Sequence, residues 1–295
     1  MSIKFASALK QAHITRGEIA DNDMRKFIKD ALGLNKKKVE SKRHTILSGP
    51  PGVGKSYGVI DECNVNQVNS LFIPAGTSDI ALVTQIAYRV RQLKPNEELC
   101  IILDDADDVV FSDYQTLNKW KLAMGDVDYS IGQIPTMSHN VSLENTLKAL
   151  VKSGKDYLAE AIQHFQDPGQ IGVTIPMDHV RFIVLCNADL ENPRGQFRGK
   201  MISAVEAVLD RFKYKRISLN WEHEWGWLAY VLGKSQPFPD YPLTDQQKKE
   251  LLDWMYSNWS SLRSTSYRTV KELAEAMINE PDDYEDIWTN NLRGH

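Results

Sequence analysis

The sequence predicts an α/β fold in which a parallel sheet is flanked by helices and is followed by a separate helical domain. From residue 43 to residue 219, short apolar runs alternate with segments of helical spacing, which is typical of a parallel sheet covered on both faces. The predicted strands are nearly continuous apolar runs, such as 99–103 and 182–186, as expected of strands buried on both sides. After residue 219 only helical patterns remain.

The elements of the predicted sheet domain, residues 43–220, follow from this alternation. Strands are predicted at 44–48, 70–74, 99–103, 181–186 and 213–219, and helices between them at 55–63, 79–93 and 113–124. The stretch 126–178 is too long for a simple connection. We therefore predict an insertion there, with one amphipathic helix from about Leu143 to Phe165.

Helical segments are predicted on both sides of the sheet domain. Residues 1–42 carry helical spacing and then a lysine run, which predicts a helical leader and a basic linker. Residues 221–295 form a predicted helical domain, in which Thr244 caps one helix and another begins at Tyr267. The acidic segment from Glu280 to Asp286 is predicted to be a solvated tail.

The composition is that of an ordinary globular chain: 295 residues, 42% hydrophobic, 25% charged and a net charge of −4. No apolar run approaches the roughly 18 residues that span a bilayer, and the first residues lack a secretory apolar region. We therefore expect a cytoplasmic protein without a membrane partner. Cys63, Cys100 and Cys186 are an odd set, predicted to be buried thiols rather than disulfides or metal ligands.

Charge is unevenly spread, because residues 1–43 hold 11 Lys and Arg against 5 Asp and Glu. The basic part, from Lys36 to Arg43, could touch a phosphate backbone or an acidic partner. A solvated linker is the simpler interpretation.

Residues 49–56 match the phosphate-binding P-loop pattern and directly follow the first predicted strand. Glycines let a tight loop turn its backbone N–H groups toward phosphates, and the next helix presents its positive end. Lysine would reach the β- and γ-phosphates, and the serine hydroxyl would be a ligand of Mg²⁺. The predicted nucleotide-binding residues are Gly49, Pro50, Pro51, Gly52, Val53, Gly54, Lys55 and Ser56. The chain is thus predicted to bind ATP and Mg²⁺.

Polar residues follow the two most apolar strands. Asp104 and Asp105 come directly after the strand 99–103, as in a Walker B segment. Asp104 would hold Mg²⁺, and Asp105 would orient or deprotonate the attacking water. Asn187 follows the strand 181–186, and since ligands bind outside the carboxyl ends of parallel strands, its amide could position that water. Asp107 and Asp108 are predicted to be exposed or helix-capping residues.

In the order of these elements the chain resembles the AAA+ ATPases, from about residue 43 to residue 280. The resemblance implies that Asn187 is the polar residue called sensor 1. It implies that Arg211, in Leu-Asp-Arg-Phe, is an arginine finger acting on a neighbouring subunit, with Arg194 and Arg198 as rivals. Arg268 would be the sensor 2 arginine of the lid, acting in its own subunit. The Leu-Asp-Arg-Phe segment is similar to that of MoxR-like and related phage-encoded members.

The resemblance further implies a ring-shaped homo-oligomer, a hexamer in the family's usual form, that hydrolyses ATP to remodel a protein or nucleoprotein. It would work in the cytoplasm, or in the host cytoplasm if a phage encodes it. Two departures matter. Asp105 stands where the family usually has glutamate, so hydrolysis could be slow. The loop 74–79 has no aromatic residue, which disfavours peptide threading.

The substrate is left open by the sequence. The insertion 126–178 is where the family often places substrate-contacting loops, and residues in it either line such a surface or pack: Tyr129, Ile134, Met137 and His139. A remodelling ATPase is the first hypothesis. The second hypothesis is a binding or assembly module that is gated by nucleotide and has little turnover. Such a module could act in DNA replication or recombination, with DNA as a possible ligand. A P-loop kinase is disfavoured by Asn187 and by the helical C-terminal segment.

Overall fold

The computed structural model describes residues 8–34, 43–77, 79–123, 143–166, 173, 175–234 and 242–292. The chain folds into two compact units that are each built from separated segments. The sheet unit comprises residues 28–49 and 59–216, and the helical unit comprises residues 1–27, 50–58 and 217–295. The three domains predicted from the sequence, with boundaries at 42/43 and 220/221, stay a prediction.

The sheet unit contains a five-stranded parallel sheet in the order β2-β3-β4-β1-β5. The strands are β1 Thr45–Ser48, β2 Ser70–Ile73, β3 Leu99–Leu103, β4 Val180–Cys186 and β5 Lys213–Arg216. Every residue of β3 and β4 is buried, as their mostly apolar sequences require, and the one charged residue among them is Arg181. The predicted α/β fold is confirmed. β5 is three residues shorter than predicted, because its partner β1 ends at Ser48, opposite Arg216.

One helix precedes the first strand, and further helices lie between the strands. They are α1 Ala8–Ala31, α2 Lys55–Val65, α3 Asp79–Arg91, α4 Asp107–Val110, α5 Tyr114–Ala123, α6 Leu143–Lys152, α7 Asp156–His164, α8 Pro193–Gln196 and α9 Lys200–Arg211. Within the described ranges, no helix is both long enough and apolar enough to cross a membrane.

The prediction of a single helix from Leu143 to Phe165 is wrong, because two helices, α6 and α7, occupy this stretch. Gly154 separates them with a φ of +71°, a left-handed conformation that ends a helix and that glycine adopts at little cost. The candidate surface residues of the insertion lie outside the described residues: Tyr129, Ile134, Met137 and His139.

The three cysteines are buried free thiols, as predicted. Cys100 lies in β3 and Cys186 in β4, so both belong to the centre of the sheet. Burial raises the pKa of the Cys100 thiol and of the Cys63 thiol, which keeps both in the neutral, unreactive form.

In the described part of the helical unit there are four further α-helices: α10 Trp221–Lys234, α11 Asp245–Asn258, α12 Tyr267–Asn279 and α13 Tyr284–Thr289. Thr244 caps α11 as predicted, since its hydroxyl accepts from the backbone of Gln247 and the Gln247 side chain accepts from the backbone of Thr244. The acidic segment 280–286 is exposed, as predicted, apart from the half-buried Tyr284, but it is not a free tail, because α13 begins within it. Trp288 in α13 is 1% exposed and donates to the Leu273 carbonyl at 2.9 Å, so it anchors this acidic segment.

The N-terminal part of α1 packs closely against α10 within the helical unit. A Cβ at Gly17 would lie 2.1 Å from the Gly226 carbonyl carbon, and one at Gly226 would lie 1.9 Å from the His13 carbonyl oxygen. The two helix backbones therefore touch where neither has a side chain. An ion pair between Arg16 and Glu222 at 2.7 Å lies beside this crossing.

We predict that Gly17→Ala destabilises the protein by about 2 kcal/mol, because overpacking at a backbone contact outweighs the higher helix propensity of alanine. Denaturant unfolding measures the loss. Thr15→Ala, on the exposed face of the same helix, is the control and should change stability by no more than about 0.5 kcal/mol. A Gly17→Ala protein as stable as the wild type would contradict this crossing.

Candidate functional site

Asp105 and Asn187 meet at the carboxyl ends of two neighbouring strands. β3 and β4 are paired with Leu103 opposite Val184, so both strands end at the same edge of the sheet. The Asn187 Nδ2 donates to Asp105 Oδ1 at 3.4 Å. The structure thus brings together two residues that are 82 positions apart in the chain.

The backbone around the two aspartates is held on both sides. The Asp104 N–H donates to the Ile73 carbonyl at 3.0 Å, and the Ala106 N–H donates to the Leu185 carbonyl at 2.8 Å. These two hydrogen bonds continue the pairing of β3 with β2 and with β4 beyond Leu103, the last residue of β3. Asp104 is half-buried and Asp105 is exposed, so both carboxylates lie on a rigid backbone near solvent.

Asp105 has a φ of +44°, in the left-handed region that aspartate adopts only at a cost of about 1–2 kcal/mol. The two flanking hydrogen bonds stabilise this conformation. Strained residues of this kind concentrate at functional sites, so the backbone supports a role for Asp105 that does not depend on the motif.

The carboxylate of Asp107 holds the loop after β4, residues 187–189, a role that the sequence does not predict. Asp107 accepts from the N–H of Asn187 and from the N–H of Ala188, both at 2.8 Å. Ser48, the last residue of β1, donates its hydroxyl to the Ala188 carbonyl at 2.9 Å. The interpretation of Asp107 as an exposed or capping residue is wrong, because its half-buried carboxylate positions the Asn187 backbone instead.

Further contacts hold the same loop from the side of β5. Asp189 forms an ion pair with Arg216, and its N–H donates to the Gln196 side chain at 2.8 Å. The Tyr214 hydroxyl lies 3.2 Å from the Ser48 hydroxyl, and burial raises the pKa of this phenol, so it stays neutral. The sequence carries no local pattern for these residues, since only the pairing of β5 with β1 brings them near the loop.

The glycine-rich loop that is predicted to bind phosphate begins where the sequence predicts. β1 ends at Ser48, the Gly49 N–H donates to the Cys186 carbonyl at 3.2 Å, and α2 begins at Lys55. A strand, a glycine-rich loop and a helix therefore follow one another as the P-loop pattern requires.

Two glycines of this loop are needed for both conformation and space. Gly52 and Gly54 have φ angles of +78° and +81°. Within the helical unit, a Cβ at Gly52 would lie 2.3 Å from Cβ of Ser266, and one at Gly54 would lie 2.6 Å from Cζ2 of Trp227. No other residue type fits at either position without moving these neighbours.

Lys55 is folded back onto its own loop. Its side chain is 6% exposed, and its ammonium donates to the Pro50 carbonyl at 2.9 Å. Ser56 follows as the second residue of α2 and is half-buried. The ammonium and the glycine backbone thus belong to one compact turn.

Arg268 lies in the first turn of α12, next to this loop. Ser266 caps α12 by accepting from the Thr269 N–H at 3.3 Å, and the Tyr267 N–H points to the Gly52 carbonyl at 3.5 Å. The Tyr267 ring stacks on the ring of Tyr57, with centroids 6.2 Å apart, and burial raises the pKa of the Tyr267 phenol. Arg268 itself is exposed.

Arg211 is the last residue of α9 and is exposed. Among the described residues, no hydrogen bond or ion pair involves its side chain. The rival residues Arg194 and Arg198 are exposed as well.

No group of three or more His, Cys, Asp or Glu side chains in the described part of the chain is arranged to hold a metal ion. Ser56 and Asp104, the predicted ligands of Mg²⁺, belong to the helical unit and the sheet unit, respectively.

We predict that Asp107→Ala loosens the 187–189 loop, because two backbone N–H groups lose their acceptor. The amides of Asn187 and Ala188 should exchange with deuterium at least about tenfold faster, as expected for a lost bond to a charged group. Asp108→Ala, an exposed change in the same turn, is the control and should leave this exchange unchanged. Equal protection in both variants would show that Asp107 does not hold the loop.

No protein-family model matches the chain. Its sequence is similar to a protein of Enterobacteria phage T4 described as an uncharacterized 36.7 kDa protein in the nrdC-mobD intergenic region, with 24% identity over 255 residues. That match covers 84% of this chain and 67% of the phage protein. A crystal structure of a DNA replication initiation factor superposes with a TM-score of 0.42 at 10% identity, covering 90% of this chain and 62% of that one. The chain therefore spans about three-fifths of the length of that solved structure.

Proposed function

We propose that the chain is a Mg²⁺-dependent ATPase of the AAA+ type that assembles into an oligomer. The observation that carries the proposal is the P-loop, which follows β1 and precedes α2 with two glycines in left-handed conformations. Asp104, Asp105 and Asn187 support it, because they lie at the carboxyl ends of β3 and β4, where open parallel sheets bind ligands.

The residues of the loop suit a nucleoside triphosphate. Its glycine backbone has no side chains to obstruct phosphate oxygens, and Lys55 would exchange its bond to Pro50 for bonds to the β- and γ-phosphates. Ser56 and Asp104 would hold Mg²⁺, which is usually bound by one or two protein oxygens together with phosphates and water. Mg²⁺ would neutralise charge on the phosphates.

Hydrolysis requires an oriented water and compensation of charge on the γ-phosphate. Asp105 and Asn187 would hold the water, since their side chains already meet at 3.4 Å. Arg268 would act in the same subunit and Arg211 on the nucleotide of a neighbour, where a guanidinium is worth about 10³–10⁵ in rate. Arg211 is exposed and unpaired among the described residues, as a finger acting in trans must be.

The work of such an oligomer would be to remodel a protein or nucleoprotein complex. The likeness to a phage T4 protein agrees with a phage-encoded member of the family. The finer placement near the MoxR-like branch, the hexameric ring and DNA as a ligand remain parts of the proposal. The basic run at 36–42, which could touch DNA, lies outside the described residues.

A module gated by nucleotide with little turnover is the second candidate, favoured by the short side chain of Asp105. Steady-state ATPase activity measured against protein concentration separates the two. A motor with a finger in trans gains specific activity as it assembles, whereas a gated module does not.

We predict that Lys55→Ala weakens binding of a fluorescent ATP analogue at least about tenfold, because charge-assisted bonds to phosphate are lost. Asp105→Asn should keep the affinity and lower turnover by about 10²–10⁴-fold, since the carboxylate acts only on the attacking water. Equilibrium binding and steady-state hydrolysis measure the two effects. Unchanged affinity in the lysine variant would remove the P-loop assignment, and full activity in the aspartate variant would remove Asp105 from catalysis.

We also predict that Arg211→Ala lowers hydrolysis by about 10³–10⁵-fold and that mixing it with Lys55→Ala restores part of the activity. A mixed oligomer contains interfaces in which an intact P-loop meets an intact arginine. The measurement is ATPase activity across mixing ratios, and each variant alone is its own control.

An active Arg211→Ala protein would exclude the finger role and direct attention to Arg194 or Arg198. The same substitution at those two positions therefore completes the experiment.

A further inference from the structure

The buried side chain of Trp227 packs against Gly54 of the P-loop. Trp227 lies in α10, is 5% exposed, and its Cζ2–Cη2 edge faces Gly54, where an added Cβ would lie 2.6 Å and 2.9 Å from these two atoms. Gly54 is the residue just before Lys55 and has a φ of +81°. The indole therefore contacts the turn that must aim backbone N–H groups at phosphates.

The N–H of the same indole, next to this edge, is held by α1. The Trp227 Nε1 donates to Asp21 Oδ1 at 3.3 Å, and Asp21 is 3% exposed. The other oxygen of this carboxylate accepts from Arg25 Nε at 2.9 Å. Asp21 is thus a buried charge with a partner on each oxygen, which limits its freedom to turn away from the indole.

α1 itself is fixed to α10, so Asp21 has a rigid support. The backbones touch at Gly17 and Gly226, and Lys10 forms an ion pair with Asp253 of α11. Trp227 consequently contacts both a carboxylate that cannot move far and a glycine whose conformation determines the loop.

We propose that Trp227 is a positioning residue for the nucleotide and that Asp21 sets its orientation, which makes the N-terminal helix a part of the nucleotide-binding apparatus. The proposal rests on the proposed nucleotide binding at the P-loop. In this role Trp227 acts on the nucleotide through the backbone of Gly54. It raises the fraction of molecules whose loop is ready to bind, and the apparent dissociation constant varies inversely with that fraction.

Four variants test this in equilibrium binding of N-methylanthraniloyl-ATP, on protein shown to be folded by circular dichroism. Trp227→Phe narrows the ring behind Gly54 and removes the N–H, and Asp21→Ala removes the acceptor. Each should weaken binding about tenfold, the effect of leaving one buried polar group unpaired. Asp21→Asn keeps an oxygen acceptor and should stay within about twofold of the wild type. Trp221→Phe, on the same helix and packed on His13 and Tyr256, should have no effect.

A second readout does not depend on affinity. Unlabelled ATP at saturation should change the tryptophan emission of the wild type and of Trp221→Phe, and this change should be lost in Trp227→Phe. Wild-type affinity in both Trp227→Phe and Asp21→Ala, an Asp21→Asn protein as weak as Asp21→Ala, or an emission change that survives in Trp227→Phe would each overturn the proposal.

The two proposals fail differently. If the wild type does not bind the analogue at all, both the proposed nucleotide binding and the positioning role are rejected. If the wild type binds, and Lys55→Ala does not, while Trp227→Phe and Asp21→Ala bind normally, only the positioning role falls.

Discussion

The register of the parallel sheet is the constraint on which the candidate site depends. Ser48 at the end of β1 is opposite Cys186 at the end of β4, and Leu103 at the end of β3 is opposite Val184. β1, β3 and β4 therefore end at the same edge of the sheet, within two residues of each other in register. Because side chains alternate along a strand, a shift of one residue in any pairing would turn the buried face of that strand around. In β3 and β4, packing is all that the side chains contribute against such a shift. The hydrogen-bonded register therefore determines which polar residues lie at the edge of the sheet.

The loop after β4 shows how backbone groups at this edge are satisfied. A carboxylate, a hydroxyl and an amide side chain from three different elements bond to residues 187–189. A loop held at this many points loses little further entropy when it binds a ligand, which favours precise placement of the Asn187 side chain. The neighbouring strain at Asp105 is tolerated for the same reason, since ladder bonds on both flanks over-determine its backbone.

The helical unit places a different constraint on the P-loop. Gly52 packs against the side chain of Ser266, and Gly54 packs against the side chain of Trp227. In a P-loop the glycines usually make room for phosphate, yet here the protein itself also requires them. The loop is therefore held by contacts that exist before any ligand binds, and these contacts come from α10 and from the cap of α12.

Much of the sheet could be predicted from the sequence because the relevant patterns are local. The continuous apolar run of β3 indicates a strand buried on both faces, and the glycine spacing after β1 indicates a phosphate-binding loop. The aspartates after β3 and Asn187 after β4 stand out for a similar reason. A polar residue directly after a buried parallel strand lies at the edge of the sheet where ligands bind.

Only the tertiary structure decided what these residues touch. The segment around Asp107 predicts a surface residue, since nothing within it shows that two N–H groups 80 residues away need an acceptor. The acidic end predicts a solvated tail, because the single Trp288 that anchors α13 carries too little local pattern against its charged neighbours. The sequence by itself determined the strands of the sheet and the glycine-rich motif, through periodicity and glycine spacing that act over a few residues. The partners of Asp107, Trp227 and Asp21 were decided by packing between distant segments, which leaves no periodic trace in any one of them.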